Sequence, residues 1–173
     1  MASPYASEYP LFTTITCLEW KHLLTEDRFK DIIISSLEYL VKKQRVTICS
    51  FVIMNNHLHL VWQMVGDSRR EDVQRDFLKY TAQQILKVLR SEQSPWLEEI
   101  RVRAIDRKYQ VWERRALHIP LWSAKALWQK IRYIHENPVR AGLSRQEEEY
   151  RYSSATFYYL NKKDWSFLTH VDG

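Results

Sequence analysis

The chain has 173 residues, 45% of them apolar, with 7 Trp, 10 Tyr and 6 Phe, enough for a packed core without disulfides. Only 3 Gly and 5 Pro exclude a repeat array or low-complexity linker, and no apolar run approaches a membrane span. A net charge of +5 has the sign of a phosphate-backbone binder, and Met1 to Pro10 lacks a basic-then-apolar leader pattern, so a cytoplasmic protein with no membrane partner is expected.

Leu11 to Trp20 (LFTTITCLEW) is apolar and β-branched and reads as a first strand. Thr25 as cap, with Glu26 and Asp27 in an acidic first turn, opens a helix. Its apolar positions Phe29, Ile33, Leu37, Leu40 and Val41 recur at helical spacing to about Lys43. Val46 to Met54 and Leu58 to Met64 read as the second and third strands, joined tightly at Asn55-Asn56. Ser68-Arg69-Arg70-Glu71 matches a capping box, and the helix behind it buries a stripe of Val73, Phe77, Thr81, Ile85 and Leu89. Ser91 to Lys108 is a polar loop with room for a short strand near Ile100 to Ile105. Tyr109 to Arg115 (YQVWERR) alternates like a fourth strand. Ser123 caps a last helix through Glu136, and Pro138 ends it, because the residue before a proline avoids the helical region. Cys17 and Cys49 lie in apolar runs without a CxxC spacing and read as buried small hydrophobes in a reducing compartment.

Strand–helix–strand–strand–helix–strand is the order of a ferredoxin-like α+β fold. We expect an antiparallel sheet with its helices on one face, plus a C-terminal helical extension. The chain reads as a single domain, 1–173, with a core over about 11–136 and an extension over 137–173. The other sheet face is expected to stay open as a nucleic-acid platform.

The candidate chemistry lies in His57-Leu58-His59. Side chains alternate along a strand, so the two imidazoles share a side about 7 Å apart while Leu58, Leu60 and Trp62 take the other. Two such nitrogens can hold a divalent ion and leave positions open for a phosphate oxygen. Taken alone, a bare HxH more often marks two neighbouring surface histidines.

Context changes that reading. Val52 to Val61 (VIMNNHLHLV) resembles the "MPNHhHhhh" signature of REP-associated tyrosine transposases, single-tyrosine insertion-sequence transposases of the HUH nuclease superfamily. Tyr133 to Leu143 (YIHENPVRAGL) resembles that family's "YIHxNPVxAGL" helix end, and Tyr150 to Ala155 (YRYSSA) its "YxYSSA" tail. Tyr109 to Arg115 sits where the family has a "WQR" segment. Together these cover about Leu11 to Tyr158.

The resemblance implies a ferredoxin-like fold, binding of hairpin-forming single-stranded DNA, and cleavage and rejoining through a 5′-phosphotyrosine link in DNA transposition. It implies Mg²⁺ or Mn²⁺ held by His57 and His59, and a homodimer as one possible assembly. In much of the family the attacking tyrosine lies four residues after the Trp of the "WQR" segment. That Trp is Trp112 here, the position holds Ala116, and the next residue is Leu117. Three readings follow: Tyr109 as nucleophile with Glu113 as a third metal ligand if the segment is helical, Tyr133 as nucleophile, or loss of cleavage with DNA binding kept.

Arg69, Arg70, Arg75 and Lys79 on the second helix, and Arg114 and Arg115 beside the "WQR" position, are candidate phosphate contacts. Trp112, Trp122 and Trp128 are candidate base-stacking residues, though most tryptophans serve cores. His118 completes a metal site only if its loop folds over the sheet, and His135 reads as structural, favoured by a helix C-terminus. The rival classes are a binding module of the RNA-recognition type, whose aromatic strand pattern is not visible here, and a metallohydrolase of small substrates, which lacks further ligands.

Overall fold

The computed structural model describes residues 8–173. Strands β1 (Leu11–Thr16), β2 (Val46–Ile53), β3 (His57–Met64) and β4 (Leu117–Pro120) form one antiparallel sheet in the order β2-β3-β1-β4. Helix α1 (Asp27–Lys42) links β1 to β2, and α2 (Arg70–Ser91) links β3 to β4, as the ferredoxin-like reading requires. A short α3 (Trp96–Glu99) lies between α2 and β4.

Both crossover helices share one sheet face. Ile15 of β1 and Leu58, Leu60 and Trp62 of β3 meet Phe29, Ile33 and Leu37 of α1 and Phe77, Ile85 and Leu89 of α2 in one core. The α2 stripe of Val73, Phe77, Thr81, Ile85 and Leu89 is buried throughout, as its spacing predicts. Each large apolar side chain fully removed from water there contributes roughly 1.5–3 kcal/mol.

The opposite face is not open. Helix α4 (Ala124–Arg140) lies across it, and its Ile131 and Ile134 pack on Phe12, Val52 and Val61. The physical reason is visible in β2 itself. VTICSFVI is apolar on both sides of the strand, the pattern of a strand covered twice rather than once.

Several boundaries move for local reasons. The fourth strand is Leu117–Pro120, not Tyr109 to Arg115. The earlier segment makes only single bridges, Tyr109 to Arg101 and Trp112 to Cys17. Val111 and Trp112 are consecutive and both buried, which a strand with one wet face does not permit. The capping box at Ser68 does not form, because α2 begins one residue later with Arg69 at its N-cap and no side-chain cap. At α1 the N-cap is Glu26, while the Thr25 hydroxyl donates to His22 O (2.8 Å). Ser123 does cap α4, accepting from Ala126 N (3.1 Å). Pro138 does not stop that helix, which runs to Arg140 and closes at Gly142, where φ is +72°. A proline so near the end removes one helical N–H and little else.

Beyond α4 the chain returns to β2. Ile53 N donates to Tyr152 O (2.9 Å), Thr169 N donates to Ile48 O (2.9 Å), and Phe167 enters the first core. The outer edge of β2 is thereby covered, which removes an unpaired strand edge. Between these contacts lies α5 (Ala155–Tyr159). Among the described residues, no helix is long and apolar enough to cross a membrane.

Candidate functional site

His57 and His59 lie at the start of β3, opposite Thr16 and Thr14 of β1. Strand alternation sends Leu58 and Leu60 into the α1–α2 core and leaves both imidazoles on the α4 side, with ring centres 4.7 Å apart. His59 is only 4% exposed, between Phe12 (5.2 Å) and Tyr133 of α4 (5.3 Å). His57 is half-buried beside Trp20 (5.5 Å).

Each imidazole is held through Nδ1. Asn56 Oδ1 lies 2.7 Å from His57 Nδ1, and Thr14 Oγ1 lies 2.8 Å from His59 Nδ1. With Nδ1–H donating to these oxygens, the lone pair is left on Nε2. His59 Nε2 is buried and has no hydrogen-bond partner among the described residues. An orphaned buried nitrogen costs on the order of 1–3 kcal/mol, so its retention calls for an explanation.

Burial pushes the His59 imidazole down to about 3, with the charges of His57 and Lys130 acting the same way. Burial also lowers His57, opposed by a hydrogen bond to Asn137 and assisted by His22. Both rings are therefore neutral near pH 7, the form that ligates metals. The Asn137 bond raises the proton affinity of His57, as a carbonyl oxygen does, and its Nδ2 donates instead to Tyr133 O (3.4 Å). The sequence pattern marks Asn137 only as part of a helix stop.

A divalent ion fits this donor set in part. Two neutral imidazoles fixed by outer hydrogen bonds, one with an orphaned Nε2, and a nearby amide oxygen make an open site. No group of three His, Cys, Asp or Glu converges among the described residues, so the remaining positions would fall to water or to a phosphate.

The other candidates separate cleanly. Tyr133 sits against His59, whereas Tyr109 lies under Arg90 and Lys108 (each 5.4 Å) in a groove beside α2. The helical pairing of Tyr109 with Glu113 does not exist, since the segment is not helical. Glu113 Oε1 instead accepts the Glu19 backbone N–H (2.6 Å). Ala116 packs against the α1–α2 core, away from the histidines. Leu117, paired with Thr14, lies on the histidine face and is exposed.

His118 points the other way from His59. Its Nδ1 lies 2.9 Å from Thr13 Oγ1, which accepts from Trp62 Nε1 (2.9 Å), and burial, ahead of the Arg70 charge, lowers it to about 4. His135 is buried and lowered to about 4 by burial, so it is neutral and gains nothing from a helix terminus. Its Nε2 lies 2.8 Å from Ser154 Oγ, which also meets Ser50 Oγ (2.8 Å) and accepts from Phe51 N (3.0 Å). The HENP and YSSA motifs are thus joined in one packed lock.

Among the basic candidates, Arg70, Arg75, Lys79 and Arg114 line the groove between α2 and residues 107–114, and Arg115 continues it. Arg69 is exposed at the start of α2. Trp112 is core, its Nε1 donating to Thr81 Oγ1 (3.0 Å). Trp128 packs on Tyr158, and Trp122 is exposed beside Tyr9 (4.9 Å). Sequence reasoning places Trp20 at the end of the first strand, but that strand stops at Thr16 and Trp20 lies in the short 3-10 turn Leu18–Trp20, with φ of +58° after Glu19 at +53°.

A search of solved structures finds a REP-associated tyrosine transposase bound to a REP hairpin, with a TM-score of 0.64 and 16% identity, covering 90% of this chain and 81% of that one. The two chains share a fold. A candidate transposase from Deinococcus radiodurans R1 also matches, with a TM-score of 0.48 and 15% identity, over 79% of this chain and 97% of that one. No protein-family model and no curated protein matches the chain.

Proposed function

We propose that this chain is a transposase-like protein that binds hairpin or single-stranded DNA and presents a scissile phosphate to His57 and His59. The observation that carries this reading is the neutral histidine pair with the orphaned His59 Nε2, set in a fold shared with a hairpin-bound transposase. His57, His59 and the Asn137 amide would hold Mg²⁺ or Mn²⁺, which when bound polarises a phosphoryl oxygen and offsets charge in the transition state.

On this reading the attacking tyrosine is Tyr133, whose ring lies 5.3 Å from that of His59. Its hydroxyl oxygen would bond to phosphorus as the bond to the 3′ oxygen breaks, giving a 5′-phosphotyrosine and a 3′ hydroxyl that takes up the proton. Lys130 and Arg140, over the Tyr133 ring at 5.3 and 5.8 Å, supply countercharge. A second reading rests on Ala116: with the usual tyrosine position turned into the core, the protein binds DNA and metal without cutting.

The test is incubation with 5′- and 3′-labelled hairpin-bearing single-stranded DNA and Mn²⁺, followed by a denaturing gel. An adduct lost in Tyr133→Phe, His57→Ala and His59→Ala is expected for the first reading. Tight binding without adduct supports the second, and no binding removes both.

A further inference from the structure

The groove beside α2 does not stop at α2. Its cavity of about 670 Å³ is lined on one wall by Arg70, Arg75 and Lys79 and on the other by Arg107, Tyr109 and Arg114. A second hollow of about 570 Å³ shares Gln110, Glu113 and Arg114 with the first and adds Arg115 and Trp20. Trp20 in turn meets the ring of His57. One continuous path therefore leads from the outer wall of α2 to the histidine face.

We propose that this path is a track for single-stranded DNA, with Trp20 the stacking platform where the strand reaches the histidines. The inference rests on the DNA-binding reading above and adds to it a route and a stacking residue.

Charge fits the backbone of such a strand. Six cations, Arg70, Arg75, Lys79, Arg107, Arg114 and Arg115, line the two hollows against two carboxylates, Glu71 and Glu113. Of those carboxylates, Glu113 is already committed to the Glu19 N–H. Arg70 pairs with Glu71, Arg75 with Asp72 and Asp76, and Arg107 and Arg114 with Asp106, but exposed pairs of this kind are weak and a phosphate can replace the carboxylate. Among the described residues, Lys79 and Arg115 have no ion-pair partner.

Trp20 fits the bases. It is 56% exposed, far more than a core tryptophan tolerates, and its backbone is held in the left-handed region. Two successive non-glycine residues with positive φ cost on the order of 1–3 kcal/mol each. The turn persists because Glu113 accepts from Glu19 and Asn56 Nδ2 donates to Trp20 O (3.3 Å). Asn56 thus holds both Trp20 and His57, so a base stacked on the indole lies next to the histidine pair. Glu113 acts here as a positioning residue for Trp20.

The test is fluorescence anisotropy with fluorescein-labelled oligo(dT), the same oligomer built from abasic nucleotides, and a DNA duplex. We expect oligo(dT) to bind more tightly than the duplex or the abasic strand. Trp20→Ala should weaken oligo(dT) by about 5- to 100-fold, with the abasic strand unaffected and Trp20→Phe restoring most of the affinity. Lys79→Glu and Arg115→Glu should weaken both strands and lower the salt slope by about 0.7 for each phosphate no longer neutralised. Oligo(dT) binding unchanged in all these variants, or equal binding of the duplex, overturns the track and leaves the DNA-binding reading standing. If neither oligo(dT) nor a hairpin binds the wild-type chain, both fall.

Discussion

His135→Gln tests the lock between α4 and the returning tail. An ordinary histidine titrates near 6.5, and burial holds His135 near 4 in the folded chain. Between these values the unfolded chain binds a proton that the folded chain refuses, so stability falls as pH drops from about 6.5 toward 4 and is unaffected above 7. At pH 5 the unfolded histidine is about 1.5 pH units into its titration, which at 1.36 kcal/mol per unit is about 2 kcal/mol. Glutamine does not titrate and removes that increment. It also disturbs the bonds to Ser154 and Tyr159, a cost of about 1–3 kcal/mol present at every pH. Urea denaturation of both proteins at pH 7.5 and pH 5 separates the two effects. The variant should be weaker at pH 7.5 yet lose about 2 kcal/mol less than wild type on going to pH 5. His59 and His118, also depressed, contribute equally in both backgrounds and cancel. An identical pH-dependent decline in the two proteins refutes the buried neutral imidazole.

Other predictions follow from single contacts. His59→Ala should abolish Mn²⁺ binding measured by calorimetry, and Asn137→Ala should weaken it on the order of tenfold; full affinity in the second variant removes Asn137 from the donor set. Trp112→Ala should cost about 3–5 kcal/mol in a urea titration, because it opens a cavity in the core and removes the indole N–H bond to Thr81 Oγ1. A cost under about 1 kcal/mol would return Trp112 to the candidate base-stacking residues. Leu117→Tyr, on the exposed histidine face, should keep the fold, while Ala116→Tyr, turned into the core, should lower the urea midpoint by an amount matching about 1–3 kcal/mol. Equal stability of the two variants would show that β4 is in a different register.

Periodic features are readable in the sequence. The α1 and α2 stripes, the three long strands and the shared side of His57 and His59 all follow from spacings of 3.6 and 2. What escapes depends on contacts distant in sequence. Whether Tyr109 or Tyr133 approaches the histidines is decided by α4 crossing the second sheet face, and nothing within YIHENP states that crossing. The apolar character of β2, on both of its sides, is the available signal. Trp20 escapes because its position depends on Glu113, which lies 94 residues from the Glu19 N–H it accepts.

The register of β4 decides which of its positions face the histidines. A strand of four residues gives each neighbour a fixed side, so Leu117 and Ile119 belong with the histidines and α4, and His118 with Trp62 and α2. A tyrosine one place earlier would therefore face the wrong core, however near it lies in sequence. The Trp112 anchor agrees with this: its indole pins the preceding segment beneath α2 through Thr81, and the chain then emerges at Leu117 on the histidine side. Position 117, on the histidine side, is filled by leucine. The exposed leucine there leaves Tyr133, approaching from the opposite helix, as the tyrosine that the fold brings against His59.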